Sequence, residues 1–298
     1  MSLTSTATAS SRSVANPQFA SRFHRSFANT FASATARRSI RELLLPLLQI
    51  ASESAVVRGD SLGCWRSGDE LFFLPRFVFQ RTQVSKPRIN VAIFAGIHGD
   101  DLSAVLGLIE FVKALNTHPA IGRDYQLWLY PLCNPSGYVD GTRRSRSGKE
   151  LDREFWKDSG EPEVKLIEKE LREQRLDGII SLRCNASSKG LHGYIWGTAL
   201  KAHLLAPALA AAEQALPPNN RAQIDGFQAI QGMNSAYHDG SLRAPPEQKM
   251  KPFQIVLEIP KQIPLRLQAQ AFLVSLHAIL AAYRRISLEA GALFLATN

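Results

Sequence analysis

Three stretches of the chain place residues with useful chemistry close together. Gly96-Ile97-His98-Gly99-Asp100-Asp101 sets a histidine and a carboxylate three positions apart in a glycine-flanked turn. A neutral imidazole and a carboxylate converging on one point are an ordinary beginning for a zinc site. The plainer reading makes Asp100 or Asp101 a helix N-cap and His98 a loop residue. Further on, Asn134-Pro135-Ser136-Gly137-Tyr138 is followed by Arg143, Arg144, Arg146 and Arg153. Guanidinium forks suit carboxylate recognition; a solvated turn accounts for Arg144 and Arg146, but less well for Arg153, which stands between Leu151 and Phe155. The third stretch is Ile255-Val256-Leu257-Glu258-Ile259-Pro260. A carboxylate in such a run is desolvated, which raises its proton affinity and tunes it as a general base or acid; pairing to an arginine is the competing reading.

These residues need elements to hold them. Ile89–Ala95 is a short continuous apolar run of the kind found in buried strands, and it leads directly into the His98 turn. Tyr125–Leu132, Gly178–Leu182, Gly193–Trp196 and Phe253–Ile259 read as further strands, as do Leu71–Leu74 and Phe77–Phe79 on either side of Pro75. Between them the apolar spacing predicts helices over 101–116, 162–175, 200–216 and 264–289. A first helix is expected over 39–54, with Ser39 as cap, Glu42 as its capping-box partner and Pro46 as a source of a kink or a later start. Strands alternating with helices of this length predict one α/β domain over 40–298: three layers, with a mixed, mostly parallel, twisted sheet and helices on both faces. In such a sheet functional groups gather at the carboxyl ends of the strands, where all three stretches fall.

GIHGDD, NPSGY, ELDREF (150–155) and LEIP (257–260) stand in the order and at roughly the distances found in the zinc carboxypeptidase superfamily. The chain resembles most its succinylglutamate desuccinylase/aspartoacylase-like branch, over about residues 40–285. The resemblance implies one zinc ion, hydrolysis of an amide near a carboxylate, and a small-molecule or peptide substrate bearing that carboxylate. His98 matches the first ligand, and Asp101 stands where the family has Glu. Glu258 matches the catalytic glutamate and Arg143 the upstream arginine. Arg153 matches the arginine of the family's Asp-Leu-Asn-Arg, with Asp152 in place of the asparagine, a change expected to repel anionic groups there. Asn134 and Tyr237 complete the expected substrate contacts. The family's second histidine is replaced: Ser181-Leu182-Arg183 stands where it has Asp-Leu-His, and a guanidinium cannot ligate zinc. Either His192, Cys184 or His238 supplies the lost ligand, or Arg183 sits as a cation in place of a cation, neutralising Asp101 and Glu258 in a metal-free relative that binds a small anion or a peptide C-terminus.

Charge says less than its total suggests. The chain has 35 Lys and Arg against 26 Asp and Glu, a formal charge of +9. Residues 1–41 hold six arginines and no acid, so the rest of the chain is nearly balanced and nucleic-acid binding is not expected. Residues 1–39 read as a disordered Ser/Thr/Ala/Arg-rich extension; the same composition is also that of an organelle import signal, so a cytoplasmic location is expected with import left open. Three cysteines without paired spacing point to a reduced compartment. The longest apolar runs fall short of the roughly 18 residues a membrane span requires, so no membrane partner is expected.

Overall fold

The computed structural model describes residues 38–81, 89–196, 200–236 and 238–296. The expected extension over 1–39 therefore lies, apart from Arg38 and Ser39, outside the described residues. Helix α1, Ile40–Glu53, starts where Ser39 accepts a hydrogen bond from the Glu42 amide at 3.2 Å, and it runs through Pro46 without a break. β1 (Val57–Ser67) and β2 (Glu70–Gln80) form an antiparallel hairpin, so the two apolar runs flanking Pro75 are one strand. β3 (Ile89–Phe94), α2 (Leu102–Thr117), β4 (Tyr125–Tyr130), the short α3 (Pro135–Asp140), α4 (Pro162–Glu173) and β5 (Gly178–Asn185) follow. The chain then forms β6 (His192–Ile195), a π-helical turn at Lys201–Leu205, α5 (Ala206–Ala212), the short strands β7 (Gln223–Ile224), β8 (Phe227–Gln228) and β9 (Met233–Asn234), β10 (Phe253–Pro260) and the long α6 (Leu265–Ala296).

Eight strands make one sheet in the order β1-β2-β4-β3-β5-β10-β6-β9. Its four central strands, β4, β3, β5 and β10, are parallel, so their carboxyl ends open on the same edge. β6 runs antiparallel to β10, which brings the first residue of β6, His192, opposite Glu258 near the end of β10. The central strands are buried on both faces: in β3, Val91 and Ile93 join the core under α1, α2, α5 and α6, while Ala92 and Phe94 join the core under α4. The expected three-layer α/β arrangement is the one observed.

α6 revises the estimate made from run length. Leu265–Ala290 is long and apolar enough to cross a membrane by length and composition, although scattered polar residues keep any uninterrupted run short. Half of its most apolar stretch is buried inside the fold, where Ala271, Phe272, Leu276, Ile279 and Leu280 are inaccessible to solvent.

Candidate active-site cleft

The carboxyl ends of the parallel strands surround a polar cleft of about 370 Å³ lined by His98, Asp152, Arg153, Arg183, Asp225 and Glu258, with Arg143 at its side. The loop after β3 carries His98 and Asp101, which are both buried. Its path depends on Gly99: a Cβ there would lie 2.1 Å from the Gly137 carbonyl carbon and 2.4 Å from the Tyr138 amide nitrogen, so only glycine lets this loop rest on the start of α3.

Within the loop His98 Nδ1 lies 2.9 Å from Asp101 Oδ2. The same oxygen accepts the Cys184 amide at 3.1 Å, and Lys261 Nζ lies 3.0 Å from Asp101 Oδ1 and 2.7 Å from Asp100 Oδ2. Burial pushes the Asp101 carboxyl up, but His98, Lys261 and the Cys184 amide together hold it below the usual carboxylate range. An ionised Asp101 only accepts, so Nδ1 carries a proton. Nε2 is buried with no hydrogen-bond partner among the described residues.

Arg183, at the position of the missing histidine, donates to Asp152 through Nη1 at 2.7 Å and Nη2 at 2.6 Å. Asp152 also accepts from Arg153 Nη1 at 2.8 Å and is 1% exposed, whereas the Arg153 side chain is 37% exposed. Two guanidiniums thus share one buried carboxylate, and one positive charge is left over on the cleft wall at Arg153. This corrects the expectation that Asp152 repels anions: its charge is already matched inside the protein. It also corrects the partner of Arg183, which pairs with Asp152 and reaches Glu258 only at 3.9 Å, while Lys261 is the cation on Asp101.

Glu258 was expected to have a raised proton affinity. Burial acts in that direction, but His192 Nε2 at 3.3 Å, Arg183 and the Asn185 side-chain amide at 3.1 Å outweigh it and hold the carboxyl below its ordinary range. His192 in turn faces Asp225 Oδ2 at 3.8 Å; burial pulls its pKa down, while Asp225 and Glu258 raise it to about 9 and Asp225 falls to about 2. Asp225, which sequence reasoning missed, sits at the tip of the β7–β8 hairpin, where Asp225 and Gly226 both have positive φ. An Asp-Gly pair between two short strands is the signature of such a turn and was the available signal. Lys261 was missed as well, although it directly follows the Glu-Ile-Pro strand end.

The remaining expected contacts divide. Arg143 lines the cleft, at 3.5 Å from Glu150. Asn134 does not: it is fully buried and caps α3, accepting from the Gly137 amide at 2.8 Å. Tyr237 lies outside the described residues. Of the replacement ligands, Cys184 packs its Sγ 2.7 Å from Ser103 Oγ with its thiol pushed up by burial, the His238 ring tilts against Phe227, and His192 faces Asp225 and Glu258. Among the described residues the one group of three potential ligands whose donor atoms converge is His192, Asp225 and Glu258; His98 and Asp101 join no third ligand. The positions His98, Asp101 and Arg183 therefore do not fit a three-ligand zinc centre, because no third ligand joins His98 and Asp101 and the guanidinium of Arg183 cannot ligate a metal.

Solved structures share this architecture. A candidate metallopeptidase from Shewanella denitrificans superposes with a TM-score of 0.68 at 20% identity, covering 82% of this chain and 90% of that one. A metallo-carboxypeptidase from Burkholderia cenocepacia gives 0.63 at 17% identity, covering 84% and 70%. The carboxypeptidase A of Helicoverpa armigera gives 0.61 at 15%, covering 83% and 73%. The fold is that of the metallo-carboxypeptidases. No family model and no curated protein matches the chain. In this fold the cleft at the strand ends is where His98, Arg153 and Glu258 gather.

Proposed function

We propose that the cleft binds a small carboxylate-bearing ligand with an amide next to the carboxylate, such as an N-acylated amino acid or a peptide C-terminus, without zinc chemistry at His98 and Asp101. The reading is carried by the arrangement around Asp152. Arg183 takes both carboxylate oxygens, so Arg153, which shares Asp152 through Nη1 alone, turns the rest of a part-exposed guanidinium to the cleft, with Arg143 as a second cation. A carboxylate on the ligand restores the balance through charge-assisted hydrogen bonds. Nε2 of His98, buried with no partner among the described residues, accepts a donor such as an amide N–H when the imidazole is neutral. The cleft volume suits a ligand of this size. The desuccinylase/aspartoacylase-like motifs of the chain imply N-acylated substrates of the same kind.

Calorimetric titration with a panel of N-acetyl amino acids and the matching amides, which lack the carboxylate, tests the reading. Binding of the acids and loss of affinity by about tenfold or more for the amides and for Arg153→Gln are expected. Equal binding of acids and amides overturns it. Metal-dependent hydrolysis of the acids by the wild-type chain overturns it too, in favour of a hydrolase.

A further inference from the structure

The cleft also has acidic lining at Asp225 and Glu258. Asp225 and Glu258 approach the same imidazole nitrogen, His192 Nε2, at 3.8 and 3.3 Å, and the three donor atoms lie within 4.8 Å of one another. These separations are long for charge-assisted hydrogen bonds, which close to roughly 2.7–2.9 Å. They match the spacing of ligands around an ion: donors about 2.0–2.1 Å from a tetrahedral metal stand roughly 3.3 Å apart.

The surroundings orient the three groups for that role. Ser188 Oγ donates its one hydrogen to the Gly190 carbonyl at 2.6 Å, so the contact of 3.1 Å between Ser188 Oγ and His192 Nδ1 places a proton on Nδ1. Nε2 is then the nitrogen that faces the two carboxylates, and a metal ion binding there displaces its proton, while the Nδ1 contact supplies the outer-shell pattern that orients a ligating histidine. Asn185 Nδ2 donates to Glu258 Oε2 at 3.1 Å, and the Tyr194 hydroxyl donates to Asp225 Oδ2, so both carboxylates are held. Position is set by the backbone as well: His192 and Glu258 are cross-strand partners, and the positive φ of Asp225 and Gly226 turns the hairpin tip toward them.

We propose that His192 Nε2, Asp225 and Glu258 form a site for one divalent transition-metal ion of the zinc class, open on its fourth side to the cleft. This site is separate from the His98 and Asp101 positions and takes up Glu258 as a ligand. One nitrogen and two carboxylate oxygens suit Zn²⁺ or Mn²⁺ rather than the all-oxygen cages of Ca²⁺. The proposal goes beyond the binding reading and is tested without any organic ligand.

The experiment is a Zn²⁺ titration of the full-length, metal-stripped protein by calorimetry, repeated for His192→Ala, Asp225→Asn and His98→Gln, with circular dichroism to confirm that each variant is folded. One ion per chain is expected, with affinity reduced about a hundredfold or more in His192→Ala and in Asp225→Asn and unchanged in His98→Gln. Asp225→Asn, a conservative change at a hairpin tip, keeps the test decisive if His192→Ala does not fold. Absence of stoichiometric Zn²⁺ binding by the folded wild type overturns the proposal. So does binding that survives Asp225→Asn and is lost in His98→Gln.

Discussion

Arg183 and Asp152 form a bidentate ion pair, 2.7 and 2.6 Å long, in which both partners are nearly inaccessible to solvent. Both residues depart from the motifs that the chain resembles, one arginine where a histidine is expected and one aspartate where an asparagine is expected. They form one electrostatic unit, since each supplies the charge that the other requires when buried.

Breaking that pair from one side is therefore costly. Arg183→His leaves Asp152 with the part-exposed Arg153 and the Leu242 amide and should destabilise the protein by about 3–5 kcal/mol. Adding Asp152→Asn should recover most of the loss, so urea unfolding of the two single variants and the double variant gives a large favourable coupling. Additive losses would mean that the pair is not a unit.

Lys261 is the counter-charge of Asp101. Replacing it with Gln removes one of the groups that hold the Asp101 carboxyl down against its burial. A carboxylate with a lowered folded-state pKa contributes stability above its unfolded pKa and loses it as pH falls through the folded one. Acid unfolding of Lys261→Gln followed by circular dichroism should begin at higher pH than in the wild type.

Glu163 acts in the opposite direction. It is buried with Ser136 as its side-chain partner, at 2.9 Å, and burial, opposed by that hydrogen bond, raises its pKa to about 7. A raised folded-state pKa means that stability is fully present below the ordinary carboxylate range and declines as pH rises to about 7, by about 3 kcal/mol. Thermal unfolding across that range should show the decline in the wild type and a flatter profile in Glu163→Gln.

Gly99→Ala tests the loop that holds His98. The new Cβ meets backbone atoms, which cannot move aside as a flexible side chain can. A loss of about 3 kcal/mol, with weakened binding of any ligand that contacts His98, is expected from denaturant unfolding and calorimetry.

The sheet and the three strand ends were legible because their signals are local. Ile89–Phe94 and Phe253–Pro260 are apolar runs with no competing pattern, and the residues that follow them in the chain also follow them in space. β1 was not legible: it is a partly exposed edge strand whose pairing shifts between Ser61 and Cys64, so neither alternation nor a continuous run marks it. The protonation of Glu258 was read in the wrong direction for a related reason. Its apolar neighbours are adjacent in sequence, but the groups that govern it, His192, Arg183 and Asn185, come from other strands and loops. Asp225 escaped because a lone aspartate in a loop carries no sign of the histidine it will face 33 residues back along the chain.

Lys261 and Arg183 have one consequence for how the protein is made. Where buried carboxylates are matched by an exchangeable ion, the last stage of folding waits on the supply of that ion, and a scarcity of it leaves the molecule incomplete. Here the matching charges are peptide-borne: Arg183 arrives on β5 and Lys261 one residue beyond β10, so the ion pairs at Asp152 and Asp101 close with the chain's own cations and wait on no metal ion.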